Sequence, residues 1–176
     1  MLPVIVALAL IASLFLILIA GRPDDFIVSR ATQIAAAPDQ VFPHVNELKK
    51  WDAWSPWAKL DPNAKNTFAG PAAGVGSSMS WAGNRKVGAG RMTIAESRAN
   101  ELIRFNLEFL RPFQATNFAL FTFKSVGSQT EVSWSMTGRN NLFFKLFGLF
   151  MDCDALVGKD FENGLARLKT VAEAAK

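Results

Sequence analysis

Few side chains in this 176-residue chain could carry acid–base, nucleophilic or metal chemistry. His44 is the only histidine, so a histidine-pair metal site is excluded and base work of that kind rests on His44 alone. Glu47, three residues on, stands where a helix would let it orient the imidazole, although a partly exposed helix histidine is the plainer reading. The lone cysteine, Cys153, lies in "DCD", where two acidic neighbours disfavour a thiolate, and it has no intrachain disulfide partner. Asp152 and Asp154, two apart, do not share a helix face. Asp24 and Asp25 read as solvating a hinge. "GPAAGVG" and "GNRKVGAG" lack the spacing and the Lys-Ser/Thr of a phosphate loop and read as hairpin turns. Tyrosine is absent, which removes the phenol as an acid or hydrogen-bond anchor. No metal and no cofactor is expected; His44 is the one catalytic candidate, and the balance leans away from an enzyme.

"KKWDAWSPW" places Trp51, Trp54 and Trp57 at every third position. Pro56 pushes Ser55 out of the right-handed helical region, so a helix here stops near Trp54. Trp51 and Trp54 then share a helical face while Trp57 begins an extended segment, and the three do not make one continuous ligand platform. Burying each indole is worth on the order of 4–6 kcal/mol as an upper estimate. That favours Trp51, Trp54 and Trp57 as structural clamps, packing the helix-to-strand crossover onto a sheet, over direct ligand contact.

The elements that must hold these residues begin with an apolar run. From Leu2 to Ala20 the chain is uncharged and apolar apart from Pro3 and Ser13. As a helix it would be about 28 Å long at about 1.5 Å per residue, close to the roughly 30 Å hydrocarbon core of a bilayer. Nothing basic precedes it, and Leu18 stands where a cleavage site wants a small residue. Residues 1–21 therefore read as an uncleaved single-pass transmembrane anchor, a cleaved signal being the alternative. Residues 22–25 make a short hinge and 26–176 one domain. Arg22, Arg30, Lys49 and Lys50 follow the run while no Lys or Arg precedes it, which leans toward a cytoplasmic domain. The net charge of +4 lies wholly beyond the anchor. It is dispersed rather than gathered into a stripe, which argues against a nucleic-acid partner and suits a position beside an anionic bilayer.

"FIVSRATQIA" alternates, with Phe26, Val28 and Ile34 on one parity, and predicts a first strand. "APDQVFPHVNEL" starts a helix at Pro38 with Val41, Val45 and Leu48 at helical spacing, kept short or kinked by Pro43. From Thr67 to Gly138 strands alternate with glycine turns. Ile103, Phe105, Leu107 and Phe109 oppose Arg104, Asn106 and Glu108; Val132, Trp134 and Met136 form another apolar face; "TNFALFTFK" is apolar on both parities, hence central or bulged. Val157, Phe161, Leu165, Leu168 and Val171 predict a long amphipathic C-terminal helix. The order strand, short helix, about six strands, long helix is that of an α+β fold with a curved antiparallel sheet wrapping the last helix.

Taken in order, "VFPHVNELKKWDAWSPW", "DP", "GPAAGVGSSMSWAGN", "VGAGRMTI", "TEVSWSMTG" and "GKDFENGLARLK" resemble the polyketide cyclase/dehydrase-like branch of the START-like (SRPBCC) superfamily, from about Phe26 to Lys169. The resemblance implies a helix-grip fold: a seven-stranded antiparallel sheet curled around the C-terminal helix with a hydrophobic cavity between them. It implies no particular reaction. In such a fold Trp81, Met92, Ile94, Ile103, Phe105, Phe109, Phe118, Trp134 and Met136 would face the helix and line the cavity. The leading expectation is a membrane-anchored, noncatalytic domain binding a small hydrophobic ligand such as a lipid, isoprenoid or aromatic metabolite. The alternatives are a cyclase/dehydrase-type enzyme acting in the same cavity, and a protein-interaction module. "LFFKLFGLFMD" is too apolar for a surface loop. Its Phe143, Phe144, Phe147 and Phe150 are expected either to pack one end of the domain or to gate the cavity at the bilayer interface, with Lys145 snorkelling toward headgroups. The oligomeric state stays open.

Overall fold

The computed structural model describes residues 2–21, 23–139, 145 and 153–174; some side chains of the first helix and that of Cys153 also lie outside the description. The gate residues Phe143, Phe144, Phe147 and Phe150 fall outside the described residues.

Helix α1 (Leu2–Ala20) holds the apolar run. Among the described residues no helix is long and apolar enough to cross a membrane, a statement that leaves aside the α1 side chains outside the description. Those that are described include Val4, Leu10, Leu14, Leu16 and Leu18, all exposed. Strand β1 (Asp25–Ile34) begins inside the expected hinge, with Asp25 in register with Arg139. Asp24 accepts a hydrogen bond from Lys145 Nζ at 2.5 Å. Asp24 and Asp25 are therefore engaged by the domain rather than solvating a free hinge. Lys145, read as snorkelling, spends its ammonium on that carboxylate.

Helix α2 (Pro38–Asn46) starts with proline at its first turn, where the missing N–H costs nothing, and the Gln40 side chain accepts from the Ala37 N–H at 3.2 Å. Pro43 cannot donate inside it, and α2 ends three residues later. A 3₁₀ turn (Leu48–Ala53) follows. Trp57 then lies in a run of turns, not in the extended segment expected from Pro56.

Six strands come next: β2 (Lys65–Ala69), β3 (Ser78–Ala82), β4 (Ala89–Arg98), β5 (Leu102–Arg111), β6 (Ala115–Val126) and β7 (Gln129–Arg139). With β1 they form one seven-stranded antiparallel sheet in the order β1-β7-β6-β5-β4-β3-β2. Two register shifts between β4 and β5, at Ala89/Gly90 and at Ile94/Glu96, bend it. Along β5 the expected parity holds: Ile103 and Phe105 are buried, Leu107 and Phe109 half-buried, and Arg104, Asn106 and Glu108 exposed.

Helix α3 (Cys153–Ala174) lies on the concave face, burying Phe161, Leu165, Leu168 and Ala172. It is tied to β1 along its length: Arg30 donates to Glu162 (2.8 Å) and Asp154 (3.1 Å), Lys169 Nζ to the Gln33 carbonyl (2.9 Å), and the Ala35 N–H to Glu173 (2.7 Å). The core between them is aromatic. Trp134 is sandwiched by Phe161 on one face (4.0 Å between centroids, 7°) and Phe121 on the other (4.8 Å, 25°).

Candidate functional site

The sheet and α3 do not close completely on one another. A cavity of about 360 Å³ remains between the first half of α3, the segment from Trp51 to Ala58, and the inner face of β3, β4, β5 and β7. Its walls are mainly apolar: Trp51, Trp57, Met79, Trp81, Met92, Leu107, Phe109, Trp134, Met136, Val157 and Phe161. Asp52, Ser55, Asn66, Lys86, Arg111 and Asp160 supply the polar lining. The volume is at the low end of the roughly 300–1,000 Å³ usual for small-molecule sites.

Local structure explains why these side chains converge. Alternation on β4, β5 and β7 sends Met92, Phe109, Trp134 and Met136 inward, and helical spacing turns Val157, Asp160 and Phe161 toward them. Trp81 on β3 is in register with Gly90 on β4, which is in register with Phe109 on β5. The two rings meet across that glycine at 5.9 Å and 75°. A Cβ on Gly90 would come within 2.4 Å of the Trp81 ring, so the indole lies flat over β4 only because glycine is there.

Of the expected lining residues, Trp81, Met92, Phe109, Trp134 and Met136 are brought together at the cavity. Ile94, Ile103 and Phe105 have the right parity but lie in the packed core, no more than 1% exposed, beyond the cavity. Phe118 is a correction: it is 49% exposed, because Asn117, Ala119, Phe121 and Phe123 take the inner parity of β6. The tryptophans split. Trp54 is wholly buried core, 4.5 Å from Trp51 between centroids, and its indole N–H donates to the His44 carbonyl at 2.9 Å. Trp51 and Trp57 clamp and also line the cavity; Trp51, Trp54 and Trp57 all reach Trp134, at 6.2, 5.8 and 5.7 Å, so they join one aromatic cluster after all. Met79, Leu107, Val157, Asp160 and Phe161 complete the walls. Leu107 shares its parity with Phe105 and Phe109, and Val157 shares a helix face with Phe161, so those two carried a signal in the sequence.

The indole hydrogen bonds differ in a telling way. Trp51 donates to the Val45 carbonyl (2.9 Å) and Trp57 to Asp160 (3.3 Å). Among the described residues Trp134 Nε1, itself closed to water in a residue 3% exposed, has no hydrogen-bond partner.

His44 does not line the cavity. Burial holds its imidazole pKa below the usual value, helped by Lys50 and opposed by Glu47. The Glu47 carboxylate accepts instead from Lys50 Nζ at 2.7 Å. Asp24, beside the Lys145 ammonium, is held below the usual carboxylate range. Among the described residues no cluster of three or more His, Cys, Asp or Glu could hold a metal.

An apolar cavity enclosed between a curved antiparallel sheet and the helix it grips marks the helix-grip α+β proteins, and this is one of them. More narrowly, the chain belongs to the family described as polyketide cyclase / dehydrase and lipid transport, which matches residues 25–173. The resemblance read from the motifs holds at that level. Protein CV1439 from Chromobacterium violaceum has a similar structure, with a TM-score of 0.59 and 14% identity, covering 86% of this chain and 99% of its own. The Mll3558 protein from Rhizobium loti gives a TM-score of 0.63 at 12% identity, over 83% of this chain and 96% of its own. The Aha1 dimer from Colwellia psychrerythraea gives 0.61 at 16% identity, over 86% and 98%. Identities this low bear on the fold alone. Among curated proteins none matches the chain.

Proposed function

We propose that the domain binds a small hydrophobic ligand in the cavity between sheet and helix, and that it does so without catalysis, anchored to a membrane by α1. The observation that carries the reading is the cavity itself: about 360 Å³ of space walled by four tryptophans, three methionines and further apolar side chains, without the histidine. Its size suits one chain or a fused-ring molecule rather than a whole two-chain phospholipid. A lipid, isoprenoid or aromatic metabolite fits that class, in keeping with the lipid-transport part of the family description. An open cavity also weighs against a protein-interaction module, which would need no empty core.

The anchor rests on the uncharged run from Leu2 to Ala20 and on the exposed apolar side chains of α1, which bilayer hydrocarbon would cover. The positive-inside lean toward a cytoplasmic domain goes with it. Phe143, Phe144, Phe147 and Phe150 are the proposed gate, on their composition.

A cyclase or dehydrase remains the second reading because Asp160 puts a carboxylate on the cavity wall. The experiment is organic extraction and mass spectrometry of the full chain purified in detergent. A stoichiometric apolar molecule recovered unchanged supports the binding domain. Turnover of an aromatic polyketide that is lost in Asp160→Asn would replace it with the enzyme, and an empty, ligand-refusing protein would overturn both.

A further inference from the structure

The two ends of the sheet differ in kind. With the strands antiparallel in the order found, β1, β2, β4 and β6 start at the end where β3, β5 and β7 finish. At the other end the core is packed: Ile34, Ile103 and Phe123 are no more than 5% exposed. The cavity lies at the first end, among Trp81, Val87, Phe109 and Met136. The apolar helix α1 arrives there too, since only residues 21–24 separate it from β1. Two connections cover this end beside the cavity, β3–β4 (83–88) and β5–β6 (112–114). They are pressed together: a Cβ on Gly88, whose φ is +68°, would stand 2.3 Å from the Arg111 carbonyl oxygen. Side by side they and the end of β5 present Arg85, Lys86, Leu110, Arg111 and Phe113, all exposed, Leu110 at 56% and Phe113 at 50%. Lys86 and Arg111 also line the cavity, so this rim is where the cavity meets the surface. The carboxylates of the lining, Asp52 and Asp160, come instead from the 3₁₀ turn and α3. Among the described residues no carboxylate pairs with Arg85, Lys86 or Arg111. At the packed end the cations are matched, Arg98 by Glu96 and Glu101, and Lys124 in register with Glu131.

We propose that the β3–β4 loop and the β5–β6 hairpin dock the mouth of the cavity onto an anionic bilayer. Leu110 and Phe113 dip into the interface while Arg85, Lys86 and Arg111 meet the headgroups. A hydrophobic ligand then passes between lipid and cavity without crossing water. The inference rests on the proposed reading that the cavity takes a bilayer-borne molecule, and adds the surface by which that molecule arrives. Charge favours a lipid surface as the occupant, and so does position. The tips of β5 and β4 stand three and four strands from β1, about 15–20 Å at the usual strand spacing, so the bilayer that receives α1 is within reach of both.

The test uses the full chain with Cys153→Ser and a nitrobenzoxadiazole label on Leu110→Cys. It is reconstituted in phosphatidylcholine vesicles, with and without phosphatidylglycerol, that carry a lipid with a nitroxide near its headgroup. Two reference labels are placed singly, on Val126→Cys at the packed end and on Leu10→Cys in α1. All three positions are exposed, so labelling spares the core. The label at 110 should be quenched several-fold more than that at 126. Its quenching should grow with phosphatidylglycerol and shrink in about 1 M salt, where the screening length falls to about 3 Å. Lys86→Gln with Arg111→Gln should remove most of the phosphatidylglycerol-dependent part. An unquenched label at 110 beside a quenched one at Leu10 would overturn the docking and leave the anchor standing. Quenching at 110 that ignores phosphatidylglycerol, or that position 126 shares, would overturn it as well. Quenching at 110 with none at Leu10 would support the docking and remove the anchor. No quenching at either would overturn both, with fluorene binding to the cavity a separate measurement.

Discussion

The Trp134 indole and the Phe161 ring lie face to face, their centroids 4.0 Å apart and 7° from parallel, joining the middle of the sheet to the helix it grips. The helix comes this near because Gly164, one turn on, offers no Cβ to the indole edge. Phe161 is 1% exposed, so its removal leaves a void that the sheet cannot fill. Phe161→Ala should lower stability by about 3–5 kcal/mol, read as a fall in the urea midpoint. Phe161→Leu, which keeps most of the volume, should cost clearly less. Equal midpoints for the two variants would show that the volume Leu keeps matters little here and that the lost stack on Trp134 carries the cost.

Trp54 and Trp51 touch one another but should separate in function. Trp54→Phe leaves the His44 carbonyl without its donor and should cost about 1–3 kcal/mol while leaving the affinity for fluorene, an apolar fused-ring probe of the cavity, unchanged, since Trp54 is no part of the cavity wall. Trp51→Phe should lower both stability and fluorene affinity, because Trp51 is clamp and wall together. Thermal melts and fluorescence titrations of both variants read the difference.

Much of this arrangement was legible in the sequence. Period-two alternation places Ile103, Phe105 and Phe109 on the inner face correctly, and three-and-four spacing does the same for α3. Parity gives the face of the sheet, though, and not the distance along the strand at which the helix crosses. Ile94, Ile103 and Phe105 are therefore core while Phe109 is cavity. Phe118 misleads because β6 carries large apolar residues on both parities, Phe118 and Leu120 on one, Phe121 and Phe123 on the other. The orphan N–H of Trp134 has no sequence signature at all: whether an indole finds an acceptor depends on what three separate elements bring to it.

His44 gives a pH dependence independent of the ligand. Burial lowers its folded-state pKa, so between that value and the usual one near 6.5 the unfolded chain binds a proton that the folded chain does not. Its contribution to stability is complete above the unfolded value. It should decline as pH falls below about 6.5 and be lost once pH drops past the folded pKa. Urea midpoints at a series of pH values should show the decline, and His44→Gln should flatten it. Probe affinity should not follow, because His44 stands off the cavity wall. An affinity that titrates with His44 would restore it as a site residue.

The proposed anchor predicts that the full chain resists alkaline carbonate extraction from membranes. Leu10→Arg with Leu14→Arg puts two charges near the middle of α1, each costing roughly 2.5–3.5 kcal/mol on insertion, and should release the chain. Phe144→Asp with Phe147→Asp should spare the anchoring and weaken only the added affinity for anionic vesicles, if those residues gate the cavity at the interface. A parent chain that extracts freely would remove the anchor from the proposal.

Gly90 offers the cleanest way to fill the cavity from within. Its missing side chain is what lets Trp81 lie across β4 and meet Phe109 at 5.9 Å. An added Cβ would stand 2.4 Å from the Trp81 ring and 2.5 Å from the Glu108 carbonyl, both far inside contact distance. The carbonyl belongs to the ladder and is hard to move, whereas the indole is half-buried and has the cavity beside it. Relief therefore needs two movements: Trp81 swings off the strand into the space where the ligand would lie, and the β4–β5 ladder gives locally at Glu108. Gly90→Ala should cost about 1–3 kcal/mol, the range for an overpacked site. It should also weaken fluorene binding, because it removes room from the cavity. Gly90→Ala with Trp81→Ala should recover probe binding in part, since the displaced ring is then absent. A single variant that binds as tightly as the parent would show that Trp81 moves outward instead, and that this end of the cavity is not where the ligand sits.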